Sequence, residues 1–108
     1  MASYLIQVSY TQQAWAAMVA NPQDRTKAIA AVIKKLGGKL TGFWMAFGDQ
    51  DVVGILDMPD NVSAAAFSMA IAAGGACKGV KTTPLLAIED AKAAMEKAAT
   101  SGYKPVTG

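Results

Sequence analysis

Between Gly37 and Asp60 the chain reads GGKLTGFWMAFGDQDVVGILDMPD, two apolar runs of strand length set back to back around a short polar turn. In the first run Leu40, Trp44 and Ala46 oppose Phe43, Met45 and Phe47; in the second, Val52 and Leu56 oppose Val53 and Ile55. A strand with one wet face alternates apolar with polar residues, whereas a strand apolar on both sides is covered on both sides. The segment therefore demands a sheet with one cover from the chain's own helices and a second cover from elsewhere. A homodimer packing sheet against sheet supplies that cover, with a cavity left between the sheets. Gly48, Asp49 and Gln50 join the two strands as a hairpin.

The rest of the chain supplies the partners of this hairpin. Tyr4 to Tyr10 alternates Tyr4, Ile6, Val8 and Tyr10 against Leu5, Gln7 and Ser9, a first strand. Thr11 caps a short helix to about Ala20, and a second, amphipathic helix runs from Gln23 or Asp24 to Leu36. In it Ile29, Val32, Ile33 and Leu36 share a face, and Gly37-Gly38 stops it. Lys39 to Phe47 and Asp51 to Asp57 are the hairpin strands. An alanine-rich helix follows from Val62 to about Ala73, stopped by Gly74-Gly75, and a fourth strand covers Val80 to Ala87. Pro84 cannot donate to a ladder, which places that strand at an edge. A last helix starts near Ile88, with Ile88, Ala91, Met95 and Ala98 as its apolar stripe and Glu89 and Asp90 in its first turn. The order predicts an α+β fold of the ferredoxin-like βαββαβ plan: an antiparallel four-stranded sheet, helices on one face, and an added C-terminal helix. One domain is expected over residues 1–100, with 101–108 as a fraying tail.

Composition removes several functions. With 53% apolar and 17% charged residues the chain is not of the disordered class. Its net charge of +2 comes from scattered lysines without interleaved aromatics, which speaks against nucleic acid. No run has the leucine-rich length of a membrane span, and MASYLIQVSY lacks the charged start and long apolar core of a signal peptide. A cytoplasmic setting is the expectation. The chain has no histidine, so the usual hydrolase base, histidine zinc sites and a proximal haem ligand are all missing. No cofactor and no metal are expected, and the single Cys77 reads as structural filler.

Several short motifs, in order, resemble the GYD-domain family. They are Ser9-Tyr10-Thr11 after the first strand, Gly37-Gly38 before the second, Gly48 with Asp51-Val52-Val53 at the hairpin, Pro59-Asp60, and Val80 with Thr82. The similarity runs from about Tyr4 to Glu96. The family takes its name from a glycine, a tyrosine and an aspartate around this hairpin, and here Gln50 stands where the resemblance places the tyrosine. The resemblance implies a dimeric α/β-barrel type of ferredoxin-like fold, among relatives that include cofactor-independent oxygenases, isomerases and ligand-sensing modules.

Candidate site residues follow from polarity and position. Asp51, just after the turn, is the candidate catalytic base, set against its more economical reading as a turn former bonding local amides. Gln7 and Ser9 stand opposite Ile6 and Val8 and are expected to line the space between sheets; Tyr10 and Thr82 offer hydroxyls. Trp44 offers a surface for a planar ligand, against its ordinary use as core. The sequence thus points to a small cytoplasmic homo-oligomer that binds a small, partly apolar molecule at the sheet interface. Its alternatives are a cofactor-independent oxygenase or isomerase using Asp51, and an assembly module without a pocket. Expected partners are a second copy of the chain and a small ligand, with neither nucleic acid nor membrane.

Overall fold

The computed structural model describes residues 1–106. In chain order its elements are β1 (Ala2–Tyr10), α1 (Gln12–Ala20), α2 (Thr26–Lys35), β2 (Lys39–Met45), β3 (Val52–Met58), α3 (Asn61–Ala73), β4 (Cys77–Leu85) and α4 (Ile88–Ala99). The strands form one sheet in the order β2-β3-β1-β4, with every neighbouring pair antiparallel. This is the ferredoxin-like α+β plan, with β1 and β3 central and the proline-bearing β4 at an edge. The expected tail falls partly at residues 107 and 108, outside the described residues; residues 101–106 hold no helix or strand.

Local chemistry sets the element ends. The Thr11 hydroxyl accepts from the Ala14 amide at 3.1 Å to start α1, and the Asp60 carboxylate accepts from the Ser63 amide at 2.8 Å to start α3. α2 ends where Gly37 takes φ +90°, a conformation open to glycine at little cost. Its start is later than the pattern predicts, at Thr26, because Asp24 accepts from the Thr26 amide at 2.9 Å in a local turn.

The core lies on the helix-covered side of the sheet. Tyr4, Ile6 and Val8 of β1 and Val52, Leu56 and Met58 of β3 are buried there beneath Ile33 of α2 and Ala64 and Phe67 of α3. The other side carries Leu5, Gln7 and Ser9 from β1 and Val53 and Ile55 from β3, all half-buried.

Two expectations about the strands need correction. In β2 the ladder shifts between Leu40 and Gly42, so Thr41 is an extra residue and Leu40 comes to share the helix-covered side with Phe43. Trp44 is left on the open side, and Ala46 and Phe47 lie beyond the strand, Phe47 fully exposed at 104%. A residue-by-residue alternation cannot register such a bulge. The fourth strand begins at Cys77, not Val80, because a second shift between Ser9 and Tyr10 lets Cys77 pair with Tyr10; Leu86 and Ala87 fall outside it.

α4 has no buried residue and makes no substantial contact with another element. The molecule is accordingly long, 57 × 37 × 22 Å, with a radius of gyration of 17.4 Å. A compact chain of this length has about 13 Å.

Candidate functional site

A cavity of about 320 Å³ opens between the sheet and the two helices α2 and α3. Its floor is Ile6, Val8, Leu40, Phe43, Val52 and Leu56, and its roof is Ile29 and Ile33 from α2 with Phe67 and Ile71 from α3. That volume is at the lower end of the roughly 300–1,000 Å³ of ligand pockets. It is about twice the roughly 150 Å³ engineered apolar cavity that holds benzene. Among the described residues the polar side chains in its lining are Tyr10, Arg25 and Cys77, and Arg25 is the one charged group of the three.

These three gather at one end. Tyr10 closes β1 and faces Cys77 across the β1–β4 ladder, while Arg25 stands at the N-cap position of α2 with its side chain making no capping bond. Burial pushes the Tyr10 phenol above its ordinary value, the neighbouring Cys77 sulfur adds to the rise, and the Arg25 guanidinium opposes it. Burial also raises the Cys77 thiol. Both groups are therefore neutral near pH 7, so Tyr10 Oη is a hydrogen-bond donor and Cys77 is a poor nucleophile. Tyr10 also meets Trp15 edge to face, with ring centres 5.6 Å apart.

The other candidates lie elsewhere. Gln7 and Ser9 are on the open side of the sheet, and the Ser9 hydroxyl donates to Gln50 Oε1 at 3.2 Å. Trp44 is on that side too, 56% exposed, with its ring lying over Gly42. Thr82 faces α3, where its hydroxyl is hydrogen-bonded to that of Ser68. Tyr10 alone of the candidate residues lines the cavity.

Asp51 lies outside the lining and is tied to the backbone it braces. One carboxylate oxygen, Oδ2, accepts from the Tyr10 amide at 2.8 Å and from Trp15 Nε1 at 3.3 Å, and the Asp51 amide donates to the Val8 carbonyl. Asp51 thus fastens the β2–β3 hairpin to the end of β1 and to α1. Removing the acceptor strands two partly buried N–H groups. Asp51→Ala is expected to cost roughly 1–3 kcal/mol in urea unfolding followed by tryptophan fluorescence. A change within experimental scatter would show that the brace carries no load.

Arg25 and Cys77 were not singled out by the sequence pattern as site residues. Arg25 sits off the apolar stripe of α2 and reads as a solvated charge; Cys77 has no reactive neighbour in sequence. Among the described residues no cluster of Cys, Asp or Glu is placed to hold a metal ion. No helix among them is long and apolar enough to cross a membrane.

A family model, the GYD domain, matches residues 4–95. The chain belongs to the GYD-domain family. A search of curated proteins finds no match to this GYD-domain chain. At the position where the family name leads one to expect tyrosine, Gln50 uses its side-chain carbonyl to hold Ser9.

Proposed function

We propose that this GYD-domain protein binds a small, partly apolar molecule in the cavity beneath α2 and α3, and that it works as a homo-oligomer. The observation that carries the reading is the cavity itself, lined by aliphatic and aromatic side chains with a few polar groups at one end. The site differs from the sheet interface that the strand pattern suggests, since this cavity, lined by Ile6, Val8 and Leu56, lies on the helix side of the sheet. The second copy has its own support. Leu5 and Ile55 are ladder partners on the open side, next to Val53 and Trp44, and α4 presents Ile88 and Met95 to solvent. A lone thiol fits the reducing cytosol. The enzymatic alternative with Asp51 as base gains nothing from the geometry, because both donors on its Oδ2 come from the protein and the cavity lies elsewhere.

Isothermal titration with 2-naphthol tests the cavity. One probe per chain is expected, with a dissociation constant on the order of 0.1 mM for a molecule of that size. Ala70 is exposed at the cavity rim, so Ala70→Trp plugs the opening without entering the core and abolishes the binding. Binding that survives the plug, or no binding to the parent protein, removes the ligand reading. Light scattering at low micromolar concentration tests assembly. A dimer or larger is expected, reduced to monomer by Ile55→Glu; a monomeric parent protein removes the second copy.

A further inference from the structure

The cavity has two chemically distinct ends. Toward Ile33 and Leu56 every lining group is apolar, and toward α1 the lining becomes Tyr10, Arg25 and Cys77. A wholly apolar ligand would leave the guanidinium and the phenol without partners from it, while a ligand with a charged head would use both ends. Sign decides which head. Among the described residues Arg25 carries the one formal charge in the lining, and no carboxylate lines the cavity with it. The two carboxylates nearest in sequence or space are already engaged: Asp24 accepts from the Thr26 amide, and Asp51 from Tyr10 and Trp15. Among the described residues the Tyr10 hydroxyl has no protein partner, since Tyr10 joins Asp51 through its backbone amide.

Resting on the ligand reading above, we propose that the molecule is an amphipathic monoanion: a flat apolar body in the cavity and a carboxylate-type head at its mouth, held by the Arg25 guanidinium and the Tyr10 hydroxyl. A guanidinium matches a carboxylate with paired N–H donors, and a neutral phenol adds a third donor without repelling the anion. The Arg25 guanidinium is near enough to Tyr10 to work against the rise that burial and Cys77 impose on its phenol, which puts the two donors at the same end of the cavity. Cys77 lends shape and no charge, because burial keeps its thiol protonated. Arg25 is exposed, so water screens its pull and the preference is moderate.

Three probes of one shape separate this proposal from the reading beneath it: 2-naphthoate, the neutral 2-naphthamide and the cationic 2-naphthylmethylamine. Titrated into the full chain at low salt, 2-naphthoate is expected to bind about 10-fold tighter than the amide, equivalent to about 1.4 kcal/mol. The amine is expected to bind weakest. In Arg25→Gln the naphthoate affinity falls to that of the amide while the amide affinity stays the same, and Tyr10→Phe removes a smaller part of the preference. Equal binding of naphthoate and amide to the parent protein, or an Arg25→Gln variant that weakens both alike, overturns the anion proposal and leaves the cavity reading standing. Failure of all three probes to bind overturns both.

Discussion

Replacing Phe67 by alanine is expected to destabilise the protein by about 3–5 kcal/mol, a large share of the roughly 5–15 kcal/mol that holds a domain together. Phe67 is 2% exposed on α3 and belongs to the core formed with Ile6, Val8 and Leu56 of the central strands. It also lines the cavity. Deleting the ring therefore adds a void to a void, and a framework already spanning open space has little freedom to collapse into the gap. Urea unfolding should show a midpoint shift of that size, with Phe67→Leu losing much less. A Phe67→Ala loss below about 1 kcal/mol would mean that α3 is not packed on the sheet through this ring.

Gly38→Ala is expected to be of similar severity, for a different reason. Gly38 carries the chain from α2 into β2 at a close approach. A Cβ there would overlap the Asp57 carbonyl oxygen, lie 2.5 Å from Met58 Sδ and lie 3.1 Å from Ile33 Cγ2. Ile33 and Met58 are both fully buried, and a carbonyl in a central strand cannot step aside. The backbone must move, at a cost of about 3 kcal/mol or more. Gly48 provides the control, since a Cβ there meets nothing within 4 Å. Gly48→Ala should be near neutral, and equal stabilities for the two variants would refute the close approach.

The parts of the fold that were legible in the sequence are those written in neighbouring residues. Tyr4, Ile6 and Val8 alternate with Leu5, Gln7 and Ser9, and the structure puts the first set beneath the helices. Gly37-Gly38 and Gly74-Gly75 stop helices where the pattern places the stops. The bulge at Thr41 leaves no such mark, and it moved Leu40 to the other side of the sheet. The site was less legible, because its members meet only through the fold. Tyr10 was visible as a phenol at a strand end, but nothing local ties it to Arg25 on α2 or to Cys77 on β4. Asp51 illustrates the same limit: its donors, Tyr10 and Trp15, are 41 and 36 residues away, so a carboxylate that reads in sequence as a turn former bonding local amides is a long-range brace in space. The stripe on α4 looks like that of any packed helix, yet among the described residues no other element packs substantially against α4.

The central claim is that the ligand space lies under the helices, and methyl chemical-shift mapping with 2-naphthamide tests it most directly. The probe is predicted to shift the methyls of Ile6, Ile33, Leu56 and Ile71, which line the cavity, and to leave those of Leu5 and Ile55 on the open side unmoved. Shifts confined to Leu5 and Ile55 would put the ligand on the open face of the sheet and contradict the account.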